Sequence, residues 1–526
     1  MKPEKLNDIF DGLDPELVEA AAEARTQNKI KKPWLKWAVT AACFAFAALT
    51  VFGVIRSTRK PVIGNTGADT KTNSSLSAAT STVSPAEENK DTDKTRSGMN
   101  NTPAKVGNLS INAQYPSVVP RPDENDYWGS DGSFRSEAFD LAFSKWEEYY
   151  HSRTRLPENY LSDMSGFYRK IIQSIIPDES GKNCTLSPSN IYMCLSMLAE
   201  VTDGDSKAQI LKLMGADSLE QLRSQTKAVW ESTYENENRG TIIMANSFWL
   251  SDSFKYNEKP LYILQKNYYA SSFSGKMGSD DFNKKLQNWI DLQTGGLLTE
   301  QAKAVETSPD TVLALVSTIY FKGQWSNKFM KEMTKSGTFH GADGDAECNF
   351  MNQSESGMPY YKRDNFSAVK KSFMDGSAMY LILPDKGTTP EALVRNGKVL
   401  DFVMQGNSNL SSQKYPPQYP LVNLSMPKFD VTSSINLLDR FSDMGVTDIN
   451  NFKPITDDAV SLSEAKHAAR VTVDEDGCRA AAFTEMLCGE GMPNDRVDFT
   501  LDRPFIFAIT SPDGLPLFFG TVNSMK

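Results

Sequence analysis

The residues best equipped for catalysis or metal binding in this 526-residue chain are three histidines, His151, His340 and His467, and six cysteines. Their spacing supports neither chemistry. There is no H-E-x-x-H pair, no G-x-S-x-G turn and no glycine loop shaped for phosphate. Cys43 sits in an apolar run. Cys184, Cys194, Cys348, Cys478 and Cys488 form an odd set without a C-x-x-C pair, so no metal site, cofactor or disulfide framework is expected. His467, in SLSEAKHAARVTV, could in principle be a general base, but its place just before a strand fits a satisfied core group better. The informative stretch is Val471 to Met492, VTVDEDGCRAAAFTEMLCGEGM. In steps of two, Cys478, Ala480, Ala482, Thr484, Met486 and Cys488 are uncharged and mostly small, whereas the intervening set holds both charges, Arg479 and Glu485. That period suits a strand with one face in a core. Gly489, Glu490, Gly491 and Pro493 immediately after it have the composition of an exposed loop. A segment that suits both states is a candidate switch.

The stretch resembles the hinge and reactive-centre loop of serpins, protease inhibitors that trap their target by inserting that loop into a sheet. Separated motifs extend the resemblance from about Met164 to Lys526: LSPSNI at 186–191, IYFKGQW at 319–325, MPKF at 426–429, VDEDG at 473–477 and DRPFIF at 502–507. The chain is similar in this respect to membrane-anchored bacterial serpins. The resemblance implies an α+β fold with a large central mixed sheet, two further sheets, about nine helices and an exposed reactive-centre loop. It implies a monomeric inhibitor rather than an enzyme: a serine protease cleaves the loop and is trapped as a covalent acyl complex when the loop inserts. The alternative within the family is a non-inhibitory binding or storage protein. A tethered adhesion or carbohydrate-binding protein that borrows the fold is more remote.

Residue roles follow from the same resemblance. The loop hinge comprises Glu475, Gly477, Cys478, Ala480, Ala481 and Ala482. The sheet opening comprises Trp325, Lys428 and Glu475 at its upper end, with Ser187, Asn190, Ser317 and His467 beneath it. Asn190 and Ser317 stand where serpins usually carry Ser and Asn, so the two types are exchanged. Arg479 and Phe483 depart from the usual hinge but fall on the outward face. Counted forward from Glu475, the reactive bond is Gly491 to Met492, with Glu490 to Gly491 second. Either suits a protease that accepts small or acidic residues: elastase-like, subtilisin-like or a glutamyl endopeptidase. Cys478 and Cys488 read as small buried hydrophobes, with redox control of the loop as the sharper alternative.

The elements that must position these residues lie within a longer chain. Trp37 to Ile55 is an uncharged run of 19 residues. As a helix it would span about 28 Å, close to the ~30 Å of a bilayer's hydrocarbon. The expected order is therefore a cytoplasmic segment at 1–36, a transmembrane helix at 37–55, a disordered tether at 56–126, an added helical segment at 127–163 and the serpin domain at 164–526. The expected location is the cell membrane, single-pass, with the N-terminus cytoplasmic and the serpin domain extracellular. A formal charge of −10 and scattered basic residues argue against a nucleic-acid partner.

Overall fold

The computed structural model describes residues 109–153, 160–237, 240–303, 305–404, 416–447, 449–478 and 495–526, and the backbone of 50–57. The central sheet contains β1 (Thr50–Ser57), β2 (Ser110–Ile111), β4 (Glu235–Glu237), β5 (Gly240–Ser251), β6 (Ala270–Gly275), β7 (Thr311–Gln324), β14 (Phe429–Asn436), β15 (Val460–Val473) and β16 (Gly477–Cys478). Its order is β14-β15-β1-β7-β5-β6-β2, with β16 beside β7 and β4 beside β5. It is mixed, because β5 and β6 run parallel while the other pairs are antiparallel. A second sheet has the order β10-β11-β12-β18-β19-β3, from β3 (Cys184–Leu186), β10 (Tyr360–Lys362), β11 (Phe366–Ser372), β12 (Ala378–Pro384), β18 (Phe505–Thr510) and β19 (Pro516–Val522). The third, β17-β13-β9-β8, is made of β8 (Lys335–Gly341), β9 (Gly344–Ser356), β13 (Leu421–Pro427) and β17 (Arg496–Thr500).

Strands β5, β12, β18 and β19 are buried along their whole lengths, as expected of strands covered on both faces. The helix Pro188–Val201 is buried along its whole length beneath the sheets. Ser187 starts it by accepting from the Asn190 N–H, and Pro188 occupies the first turn, where its missing donor costs nothing. Across the central sheet lies the helix Asp280–Gln293, whose Trp289 packs edge-on against Trp249 of β5. Its Gln287 bonds the Val305 carbonyl. Among the described residues, about ten helices, short ones such as Thr299–Ala302 included, accompany the sheets after residue 160, close to the number expected, and Ser136–Arg153 is a further helix in the segment expected at 127–163.

The N-terminal expectations need correction where residues are described. Thr50 to Ile55, the end of the run read as a transmembrane helix, lie in β1, an extended strand between β7 and β15. No described helix is long and apolar enough to cross a membrane. Residues 37–49 and Cys43 lie outside the described residues. The stretch expected to be a tether as far as residue 126 has described structure from residue 109 onward. Ser110 and Ile111 pair with Phe273 and Ser272 at the sheet edge, and Tyr115 packs against Trp230 and Tyr234. A few apolar residues in a polar stretch suffice when an unpaired edge awaits them.

Candidate functional site

The end of β15 turns sharply at Asp474 to Gly477. Asp474 N–H donates to the Gly477 carbonyl at 3.0 Å, and the Asp474 carboxylate accepts from the N–H groups of Asp476 and Gly477. Gly477 has φ +144, and a Cβ there would lie 2.2 Å from the Gly323 carbonyl oxygen, so only glycine lets the chain pass this close to β7. The turn delivers β16 to the upper end of β7, where Gly477 pairs with Gln324 and Cys478 with Gly323.

Trp325, fully buried, fixes the turn from the β7 side. Its N–H donates to the Asp476 carbonyl and its indole N–H to the Asp474 carbonyl, at 3.1 and 3.0 Å. The indole stacks on Phe373 with centroids 4.3 Å apart. Glu475 is 4% exposed. Lys428 Nζ lies 2.6 Å from its Oε1, and Thr334 Oγ1 donates to the same oxygen at 2.8 Å. Burial would raise the Glu475 pKa, but the hydrogen bonds from Lys428, Thr334 and the backbone, with the Lys428 charge, hold it below the ordinary value. Lys328 and Lys331 flank Asp476 at 3.5 and 3.6 Å. Trp325, Lys428 and Glu475, expected at the upper end of the sheet opening, are thus brought together, with the expected hinge residue Gly477 beside them.

The lower cluster is brought together with a different wiring. His467 Nε2 accepts from the backbone N–H of Ser187 at 2.9 Å, while its Nδ1 has no hydrogen-bond partner among the described residues. Complete burial pushes the imidazole pKa down to about 3, so the ring is neutral, and because no atom of it reaches the surface it is out of reach of a substrate in solvent. Asn190 and Ser317 bond each other twice: Asn190 Nδ2 donates to the Ser317 carbonyl at 3.1 Å, and Ser317 Oγ approaches Asn190 Oδ1. Ser317 Oγ also lies 2.7 Å from Asn246 Oδ1. The exchanged pair therefore meets directly under the sheet, where Asn190 and Ser317 satisfy each other while His467 Nδ1 does not share in the network.

Cys478 has a described backbone only. Ala480, Ala481, Ala482, Glu490, Gly491 and Met492, with Cys488, lie outside the described residues. Sequence reasoning missed Thr334, Asn246, Asp375 and Lys371. Asp375, beside Gly240, accepts from Ser377 with one oxygen and has no hydrogen-bond partner among the described residues for the other; burial pushes its pKa up to about 6 against the Ser377 hydrogen bonds, with the Glu235 charge adding to the rise. Lys371 shares an alternating set with Val369 and Phe373, both buried, which was the available signal.

Set beside known proteins, residues 162–525 match the profile of the family described as Serpin (serine protease inhibitor). "Serine proteinase inhibitor 2" of Variola virus is 26% identical over 359 residues, covering 66% of this chain and 97% of the viral protein. "Serpin-ZX" of Arabidopsis thaliana is 26% identical over 366 residues, 65% of this chain and 91% of the plant protein. Among solved structures, the thermophilic serpin tengpin in its native state superposes with a TM-score of 0.62 at 24% identity, covering 70% of this chain and 95% of tengpin. Thyroxine-binding globulin in complex with thyroxine gives 0.60 at 20% identity, covering 69% and 98%. These relatives are viral, plant and others, and none is described as a membrane-anchored bacterial serpin.

Proposed function

Because the chain belongs to the serpin family, we propose that it is a suicide-substrate inhibitor that traps a serine protease by inserting its cleaved reactive-centre loop between β7 and β15. The observation that carries this reading is β16: the last residue of the turn, Gly477, and the one after it, Cys478, are already paired antiparallel with the end of β7. Continuing that register sets Phe483 opposite Thr318 and Glu490 opposite Thr311. Uncharged small residues would then face inward, where a charge would be costly to bury. Insertion of about 14 residues at roughly 0.5 to 1.5 kcal/mol per ladder bond yields on the order of 10 kcal/mol, enough to drag an acylated protease with the strand. With the reactive bond at Gly491 to Met492, or Glu490 to Gly491, the target is an elastase-like, subtilisin-like or glutamyl-specific enzyme.

Thr311 to Thr318 is also the span of β7 that β1 covers, since Thr50 pairs with Thr318 and Arg56 with Thr311. Insertion therefore requires β1 to leave. The apolar run supports a place for it to go, because residues 50–55 cannot lie in a bilayer and in the sheet at once. In this reading the anchored protein, N-terminus inside and serpin domain outside, has its sheet free for the loop. The non-inhibitory alternative draws on the same fact: a sheet already filled leaves a loop that is cut without trapping. Incubation of the full chain with glutamyl, elastase-like and subtilisin-like proteases decides between them. A complex that survives boiling in detergent is expected, and its C-terminal fragment gives the bond; complete nicking with no complex refutes inhibition.

A further inference from the structure

Lys371, on β11, is a buried ammonium for which loop insertion as described has no use. Its side chain is 1% exposed, and burial pushes its pKa down while Glu355 opposes the shift. All three of its donors are matched: the Asn327 carbonyl at 2.8 Å, Gln353 Oε1 at 2.9 Å and Glu355 Oε2 at 3.1 Å. The same ammonium lies 4.7 Å from the Phe329 ring centroid and 5.4 Å from that of Trp325. Burying a lysine is expensive even when it is paired, and an apolar side chain of similar volume often serves stability as well or better. Stability alone is therefore a poor account of it.

What the ammonium holds is the segment from Trp325 to Phe329, and both ends of that segment hold the loop hinge. Trp325 N–H donates to the Asp476 carbonyl and Phe329 N–H to the Glu475 carbonyl, while the Trp325 indole donates to Asp474. Asn327, whose carbonyl Lys371 binds, is the midpoint of this bracket. Ser326 N–H ties the bracket to the Ser372 carbonyl, next to Lys371 in the chain. We infer that Lys371 is a positioning residue for loop insertion: by clamping Asn327 and both flanking rings to β9 and β11, it keeps the bracket rigid and the hinge aimed at the upper end of β7. The inference rests on the inhibitory reading. A loose bracket would leave the cleaved loop slower to enter the sheet, and an acyl-enzyme that waits is hydrolysed.

The test compares the full-length protein with Lys371→Met, which keeps the length and removes the charge. Two measurements are made: the ratio of protease trapped to loop cleaved, and amide hydrogen exchange at Trp325 and Phe329. The expected result is a shift toward cleavage of roughly tenfold, the size that losing a hydrogen bond to a charged group brings. Exchange at the two bracket amides should quicken while that of β18 stays unchanged. A purely structural lysine would instead alter the unfolding midpoint and leave the ratio alone. Equal trapping and equal bracket exchange in the two proteins overturn the inference. If the wild type traps nothing, the inhibitory reading fails, and quickened exchange at the two amides still supports the clamp whereas unchanged exchange removes it too. Should Lys371→Met not fold, Glu355→Gln takes away the counter-charge and is held to the same two measurements, with the same outcomes supporting or overturning the clamp.

Discussion

Replacing Lys428 by alanine should release the hinge, and the size of the effect can be worked from the geometry. The pair joins a nearly buried carboxylate to an ammonium that is 38% exposed, at 2.6 Å. Exposed pairs contribute about 0 to 1 kcal/mol, and breaking a fully buried pair costs about 3 to 5 kcal/mol. One buried and one partly exposed member place this pair between those limits, near ~2 kcal/mol. Thr334 still donates to Glu475 after the substitution, which argues against the upper limit. A loss of ~2 kcal/mol corresponds to roughly a thirtyfold shift toward the released hinge. The assay is storage at fixed temperature with periodic titration against a protease that the protein traps. Trapping capacity should decay about thirtyfold faster in Lys428→Ala, and Lys428→Ala combined with Glu475→Gln should cost less than the two single changes added together. Acid should mimic the substitution. The Glu475 pKa is lowered in the fold, so its contribution is complete above the ordinary carboxylate pKa and disappears as pH falls through the lowered folded value. Decay at the wild-type rate, with additive energies in the double-mutant cycle, would refute the reasoning.

Gly477→Ala forces a side chain against the Gly323 carbonyl at a positive φ, so the turn should open and trapping should fall, at a cost of about 1 to 3 kcal/mol visible in the urea midpoint; an unchanged midpoint and trapping ratio would contradict this. Removing residues 1–60 takes away β1, and the share of protease trapped by the remaining chain should rise; equal shares in long and short proteins would show that β1 does not compete with the loop. Neutral His467, with a folded pKa of about 3, binds fewer protons than its unfolded counterpart between pH 3 and about 6.5, so it should make stability fall as pH drops through that window. Asp375, raised to about 6, works in the opposite direction and loses its contribution as pH rises through 6. Urea midpoints of His467→Gln and Asp375→Asn across pH 4 to 7 separate the two; a slope unchanged by either substitution is the contrary result.

The upper cluster was legible because its residues sit in short contiguous motifs. Trp325 directly follows β7, Lys428 separates β13 from β14, and Glu475 and Gly477 belong to one turn, so each could be read in place. The wiring was not legible. His467 and Ser187 were placed together beneath the sheet opening, but the bond between them uses the Ser187 backbone, a donor that every residue except proline carries and that no side-chain motif reveals. Lys371 was hidden for a related reason. Its alternation with Val369 and Phe373 points inward, but a charged side chain overrides that signal in sequence, and only the convergence of the Asn327 carbonyl, Gln353 and Glu355 makes a buried ammonium tolerable.

The N-terminus marks the limit most clearly. Its uncharged run of 19 residues shows by sequence alone that the segment must leave water, because apolar area is what drives burial. Composition does not say which apolar medium receives it. Placing Thr50 to Ser57 between β7 and β15 depends on two strand edges, some 260 and 410 residues further along the chain, standing far enough apart to admit one more strand. Sequence determined the family, the turn residues at the end of β15 and the hydrophobic demand of each segment, since those are properties of residues and their neighbours. Tertiary structure decided which distant backbone groups and buried charges satisfy one another, because hydrogen bonds and ion pairs act over a few ångströms and only the fold sets those distances.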